Sequence, residues 1–203
     1  MKNWILESPV GYAIWSEPFN RPKIDAIGRM LQKSGKDKAS ILDVGCGPAT
    51  NADCFTGWKY LGVDLNPDYI KVAASRFPHL RFAVADAAKL NIDAEKFDVV
   101  LINSLMHHLN DAECADLLRG IKPALTENSV IIAQEPITPG KKKRIMRFLM
   151  KQDRGDYFRP LEEWKKVFRT NGYQIVAEEF YPLKLAHLVV GWQMYSVLLK
   201  SND

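Results

Sequence analysis

The stretch Ser40 to Thr50, Ser-Ile-Leu-Asp-Val-Gly-Cys-Gly-Pro-Ala-Thr, constrains this chain more than any other. Ile41, Leu42 and Val44 make an apolar run that reads as a buried strand, and Gly45, Gly47 and Ala49 turn it sharply. Glycine in such a turn lets backbone approach a ligand and admits positive φ. Alone, a Gly-x-Gly-x-Ala turn serves several nucleotide folds. Its neighbours narrow the reading. Asp43 lies inside the strand end, and a second strand, Tyr60-Leu61-Gly62-Val63, ends in Asp64. An acidic side chain about 20 positions beyond such a turn is placed to accept ribose hydroxyls.

At these residues the chain resembles the class I S-adenosylmethionine-dependent methyltransferases, of the small-molecule type. Asp43-Val44-Gly45-Cys46-Gly47-Pro48-Ala49 is similar to their first motif, with Ala49 standing where a third glycine is usual. That alanine adds one methyl where strand and helix approach closely. The resemblance continues through Gly62-Val63-Asp64, Val84-Ala85-Asp86-Ala87 and Phe97-Asp98-Val99-Val100-Leu101-Ile102-Asn103. It holds from about Ala39 to Pro136 and is architectural beyond. It implies an α/β fold: a Rossmann-like, doubly wound, seven-stranded sheet, mostly parallel with a C-terminal antiparallel hairpin. One methyltransferase domain would then span 1–203, with an N-terminal helical lid (1–38), a cofactor-binding half (39–136), a basic lid insertion (137–160) and a C-terminal helix and strand hairpin (161–203).

Bulk properties agree with one globular domain. The 203 residues are 47% hydrophobic, enough to bury a sizeable core. Cys46, Cys54 and Cys114 show no Cys-x-x-Cys spacing, so no metal site is expected and a reduced, cytoplasmic setting is the natural one. Met1 to Pro9 lacks a long apolar run and reads as no signal peptide. Leu188 to Leu199, the longest apolar region, is broken by Gly191, Gln193 and Ser196 and is too short to span a bilayer. The net charge of +4 permits an anionic partner without demanding one.

Strands and helices alternate in the manner of a parallel sheet. Strands are expected at Ser40–Val44, up to Asp64, at Arg81–Ala85, Phe97–Ile102 and Ser129–Gln134, with helices near Asn51, after Asn66-Pro67 and from Asp111 to Leu118. Asn66 is the expected N-cap, with Pro67 at the first helical position. Before the first strand, Pro9, Pro18 and Pro22 are expected to break an aromatic-rich segment into short pieces. Helical spacing of Ile24, Ile27, Met30 and Leu31 follows, ended by Gly35. After Leu161–Arg169, a helix with Trp164 and Phe168 on one side, two strands are expected at Tyr173–Tyr181 and Leu188–Leu199.

In open α/β sheets ligands bind beyond the carboxyl ends of the strands, where the strand order switches. Gly45, Gly47, Asp64, Asp86 and Asn103 all fall there. The glycine backbone would pack on the amino-acid part of the cofactor, and Asp64 would accept both ribose hydroxyls. What the resemblance adds is Asp86 accepting from the adenine amino group, the Ala87 amide donating to the ring, Leu65 beside them, and Asn103 presenting an oxygen to the cofactor's ammonium group. It also places Asp43 near the cofactor. Each has a structural alternative: Asp43 ordering the turn by accepting backbone N–H groups, Asp86 capping the Ala87-Ala88 turn, Asn103 capping a helix. The expected cofactor is S-adenosyl-L-methionine. NAD competes, but no Tyr-x-x-x-Lys pair is present for hydride chemistry.

Methyl transfer needs in-line positioning and a dry site, with a base only where the acceptor loses a proton. His107 and Glu135, just past strands four and five, are the catalytic candidates. The alternatives are that a histidine packs and caps the next helix, and that Glu135 pairs with a nearby Arg or Lys. Tyr12, His108, Arg159, Tyr181 and His187 are candidate substrate contacts. Lys141-Lys142-Lys143-Arg144, Arg147, Lys151 and Arg154 form a basic amphipathic stretch: a solvated face, an anionic-substrate contact, or a peripheral contact with an anionic membrane surface. The Asn-Pro-Pro-Tyr type of motif is absent, since Asn103 precedes Ser-Leu-Met, and no nucleic acid partner is expected. The expected acceptor is a small molecule, anionic or lipid-like. A non-catalytic cofactor-binding scaffold is the alternative.

Overall fold

The computed structural model describes residues 9–90, 95–139, 155–185 and 188–202 and, within them, the side chains of all but residues 9–19 and 184–192. The basic run from Lys141 to Arg154, His187 and the side chain of Tyr12 therefore lie outside the described residues. The elements run α1 (Pro9–Ser34), β1 (Ser40–Val44), β2 (Lys59–Asp64), α2 (Pro67–Arg76), β3 (Arg81–Val84), β4 (Phe97–Asn103), α3 (Asp111–Gly120), β5 (Leu125–Ile137), α4 (Leu161–Thr170), β6 (Tyr173–Leu185) and β7 (Leu188–Ser201).

All seven strands form one sheet in the order β3-β2-β1-β4-β5-β7-β6. β1 to β5 are parallel, and β7 runs antiparallel between β5 and β6, so that β6 again points with β5. The sheet is thus the expected doubly wound one with its terminal hairpin. From β1 the chain goes outward to β2 and β3, then returns to place β4 on the other side. The crevice of the fold therefore opens above β1 and β4.

Alternation along the strands fills two cores. Leu42, Val44, Val100, Ile102 and Ile131 face α3 and α4, meeting Leu117, Leu118, Trp164 and Phe168. Ile41, Val99, Leu101, Val130 and Ile132 face the other way, onto Ile27 and Met30 of α1 and the aromatic pair Phe55 and Tyr60. Each fully buried aliphatic or aromatic side chain contributes roughly 1.5–3 kcal/mol, which is why the strands read as near-continuous apolar runs.

Two expectations are corrected. The N-terminal segment is one 26-residue helix, α1, and Pro9 opens it rather than breaking it. A proline in the first turn loses nothing, because that turn's N–H groups have no partner within the helix. Pro18 and Pro22 each forgo a helical hydrogen bond, at about 3 kcal/mol against alanine. Packing of the helix's second half, through fully buried Ala26, Ile27 and Met30, offsets that loss. The segment after Asn51 forms only a short 3-10 turn, Ala52–Phe55. With β2 starting at Lys59, too little chain remains for an α-helix. The remaining elements stand near their expected positions, with β5, β6 and β7 each longer than expected.

Candidate active site

The β1 crest folds over the end of β2. Gly45 and Cys46 both donate backbone N–H to Val63 O, at 2.8 and 3.0 Å, and Gly47 N–H donates to Asp64 Oδ2 at 2.8 Å. Gly45 and Gly47 have φ of +73° and +56°, the left-handed region that glycine enters without penalty. A side chain at Gly45 would run into Leu105 Cδ1 at 2.9 Å, whereas one at Gly47 would meet open space. Ala49 also takes a positive φ, +60°. Its departure from glycine is therefore one of backbone conformation as well as crowding, at roughly 1–2 kcal/mol.

Asp64 carries two backbone bonds, from Gly47 and from Asn66 N–H at 2.9 Å, which aim its carboxylate along the crest and leave lone pairs for further donors. Leu65 beside it is 67% exposed. Asn66 caps α2 through Asp68 and Tyr69 N–H, with Pro67 at the first helical position, as expected. Asp86 caps the 3-10 turn Ala87–Lys89 by accepting Ala88 N–H at 3.0 Å. That is its structural alternative, and it still leaves the second carboxylate oxygen for another donor or for Lys89, 3.5 Å away. Asn103 caps no helix. Its Nδ2 donates to Asn51 Oδ1 at 3.1 Å, and its Oδ1 accepts from Ser104 Oγ at 3.2 Å.

Asp43 departs from the structural role considered for it, since no backbone N–H of the turn reaches it. Oδ2 accepts from the Tyr60 hydroxyl at 2.8 Å, and Oδ1 is buried with no hydrogen-bond partner. Burial first, and then the nearby Asp64, push its carboxyl up to about 7 against the pull of the Tyr60 bond.

A second cluster joins Glu135, near the carboxyl end of β5, to the segment that follows β4. Glu135, almost wholly buried, accepts Leu105 N–H at 3.0 Å and Met106 N–H at 2.7 Å on Oε1. Its Oε2 accepts His107 N–H at 3.3 Å and stands 2.7 Å from His107 Nδ1. Because this carboxylate acts as acceptor throughout, the network assigns the ring proton to Nδ1 and leaves Nε2 as the acceptor. Phe158 stacks on the His107 ring at 5.0 Å and His108 lies 4.2 Å away on centroids. Gly155 leaves no room for a side chain, since one would collide with His107 Cδ2.

Four sequence expectations change. Glu135 pairs with His107 and the backbone, not with Arg or Lys. Arg159 is no open substrate contact: it donates to Asp111 Oδ1 at 2.6 Å, to Met106, Leu109 and Tyr157 carbonyls, and stacks on Trp164 at 4.8 Å. Tyr181 is no open substrate contact either: it sits within β6, buried under α1, and its hydroxyl donates to Gln134 Oε1 at 3.0 Å. Neither histidine caps α3; Asn110 does, in a capping box with Glu113. His108 is exposed beside His107. Sequence reading missed Tyr60 under Asp43, and it missed Lys23, whose Nζ reaches Ser104 Oγ at 2.8 Å. Helical spacing put Lys23 on α1 but gave no sign of which strand end it would meet.

A glycine crest, an acidic residue at each neighbouring strand end and a switch point beside them define a Rossmann-like sheet whose crevice suits a nucleotide cofactor. Comparisons with known proteins specify it. Residues 41–128 match the family model described as a methyltransferase domain. The Bacillus subtilis protein YxjB, described as a 23S rRNA (guanine-N(1)-)-methyltransferase, is 36% identical over 110 residues, 50% of this chain and 38% of that protein. Trans-aconitate 2-methyltransferase of Methylobacterium radiotolerans is 27% identical over 140 residues, 67% of this chain and 50% of that one. Thus the chain spans about half or less of these two relatives' lengths. The fold matches the crystal structure of Burkholderia thailandensis 1,6-didemethyltoxoflavin-N1-methyltransferase at a TM-score of 0.73, with 19% identity, over 95% of this chain and 83% of that one. Over residues 41–128 the chain is thus similar to methyltransferase domains, and S-adenosylmethionine is the cofactor that this likeness implies. No helix among the described residues is long and apolar enough to cross a membrane.

Proposed function

We propose that this chain transfers a methyl group from S-adenosylmethionine to a small-molecule acceptor by direct in-line displacement. The observation that carries the reading is the convergence at one edge of the sheet: the Gly45–Gly47 crest, Asp43, Asp64, Asp86 and Asn103 at adjacent strand ends, with His107 just past β4 paired to Glu135 near the carboxyl end of β5. The residues fit the cofactor. Open space above Gly47 suits close backbone approach, exposed Leu65 offers an apolar surface next to Asp64, and the unpartnered Asp43 Oδ1 suits a cationic ligand.

In this reading Asp64 holds the ribose hydroxyls, Asp86 and Ala87 the adenine edge, and Asn103 with the glycine crest the amino-acid end. When bound, the cofactor supplies an electrophilic methyl on a sulfonium whose charge is lost as the methyl leaves. The chain's own part is orientation and proton handling. His107 takes the acceptor's proton at Nε2 as the new bond to methyl forms, and Glu135 holds the ring through Nδ1–H. Phe158 stacked on the ring keeps water from one face. Relatives named for trans-aconitate and for 1,6-didemethyltoxoflavin support a small-molecule acceptor. YxjB, named for 23S rRNA, favours a second reading with RNA as acceptor.

The test is calorimetric titration with S-adenosylmethionine, S-adenosylhomocysteine and NAD, followed by methyl incorporation into small acids, phenols, lipids and RNA. Micromolar affinity for the first two ligands is expected, with incorporation into a small molecule. Binding of NAD alone would overturn the cofactor roles, incorporation only into RNA would overturn the acceptor class, and binding without turnover would leave a scaffold.

A further inference from the structure

The carboxyl edge of the sheet is acidic. Asp43, Asp64, Asp86 and Glu135 all end there, and such a set suits hydroxyls, amines and a sulfonium. An S-adenosyl amino acid also carries an α-carboxylate, which these groups repel. Its recognition calls for a cation or strong donors near the crest at Gly45. The parallel register of β1 and β4 pairs Val44 with Ile102, so Asn103 and Ser104 follow alongside Gly45 and Cys46. Lys23 arrives there from α1, with Nζ 2.8 Å from Ser104 Oγ.

The surroundings hold this lysine in place. Gln134, fully buried within β5, donates from Nε2 to the Lys23 carbonyl at 3.3 Å and to Ser196 Oγ at 3.2 Å, while its Oε1 accepts from Tyr181. The helix backbone at position 23 is therefore tied to β5, β6 and β7 independently of the ammonium group. Ser104 adopts a φ of +56°, in the left-handed region disfavoured for residues with a side chain, and its N–H is fixed to Gln134 O at 2.8 Å. Its hydroxyl is thereby aimed at both Lys23 Nζ and Asn103 Oδ1.

We propose that Lys23, held in place by the Ser104 hydroxyl, binds the α-carboxylate of the cofactor and so joins helix α1 to the cofactor site. The proposal rests on the cofactor reading above. Lys23 Nζ keeps its Ser104 bond and donates a further, charge-assisted one to the carboxylate, the stronger kind of hydrogen bond. Asn103 serves the ammonium group on the same carbon, so the end of β4 and Lys23 of α1 together read both charges of the amino-acid end.

The experiment compares two ligands that differ at this end: S-adenosylhomocysteine, which has the carboxylate, and 5′-methylthioadenosine, which lacks the whole amino-acid end. Both are titrated calorimetrically into the full chain and into Lys23→Gln and Lys23→Arg. Lys23→Gln is expected to weaken S-adenosylhomocysteine about ten- to a hundredfold and to leave 5′-methylthioadenosine within about twofold, with Lys23→Arg retaining most of the affinity. An equal loss for both ligands would mean that Lys23 only docks α1, and would overturn the proposal. So would no loss for either. If the unaltered chain bound neither ligand, the cofactor reading itself would fail, an outcome distinct from failure at Lys23.

Discussion

Asp43 makes the stability of this protein depend on pH in a calculable way. Its carboxyl, ordinarily at 3.8, is pushed up to about 7 by burial in β1. The unfolded chain therefore ionises this group before the folded chain does. Between the two values the folded state binds more protons, so stability from this group is complete below the ordinary value and is lost as pH rises through about 7. The full shift of about 3 units corresponds to about 4 kcal/mol, and the part released between about pH 5 and pH 8.5 to about 3 kcal/mol. Asp43→Asn removes the titration while its amide oxygen can still accept the Tyr60 hydroxyl. The new NH2 group falls where Oδ1 has no partner, at about 1–3 kcal/mol, but that penalty is the same at every pH. The difference between two pH values therefore isolates the charge. Urea unfolding of the unliganded protein and of the variant, at pH 5 and 8.5, should show the unaltered chain losing about 3 kcal/mol more than Asp43→Asn. Parallel losses would refute the reasoning, because Asp43 would then be ionised in the folded state at both pH values. A cationic ligand at the crest favours the ionised form, so S-adenosylmethionine affinity should also rise from pH 6 to 8 in the unaltered chain only.

Other substitutions separate the parts of the site. Asp64→Ala should weaken S-adenosylhomocysteine by one to two orders of magnitude, from about 1.5–3 kcal/mol for the charged hydrogen bonds, and unchanged affinity by calorimetry would remove Asp64 from the ribose. His107→Ala should slow turnover about a hundredfold or more while leaving cofactor affinity intact; steady turnover would make the ring a packing element. Glu135→Gln should lower both turnover and cofactor affinity, which distinguishes it from His107→Ala in the same two assays. Arg159→Met should cost about 3 kcal/mol or more in urea unfolding, since Met106, Leu109 and Asp111 all lose a donor, with cofactor affinity unaltered.

The cofactor half was legible because its signals are local. A strand that turns at Gly45 and Gly47, and acids placed at strand ends, are fixed by spacing along one short stretch of chain, and Asn66-Pro67 announces a helix start by its own chemistry. The hairpin of β6 and β7 was legible from two long apolar runs. What resisted reading depends on contacts far apart in sequence. α1 passes through Pro18 and Pro22 because Ala26, Ile27 and Met30 bury themselves on a sheet not yet formed when propensity alone is considered. Arg159 resembled a ligand-binding cation until the fold set it among three backbone carbonyls and over Trp164. Glu135 read as a base from its place at a strand end, and nothing near it in sequence shows that three N–H groups some 30 residues earlier converge on it.

That convergence changes what Glu135 is. A carboxylate that holds Leu105, Met106 and His107 by their backbones fixes the path of the chain immediately after Asn103, and Leu105 in turn lies where a side chain on Gly45 would be. The two ends of the site are therefore not independent. On one side of this turn Asn103 and Ser104 stand beside the crest, and on the other stands His107, which in the proposed function meets the acceptor, with a single buried acid setting the distance between them. Methyl transfer in line tolerates little error in that distance. In the proposed function this arrangement gives Glu135 the part of positioning both ends and leaves the proton to His107.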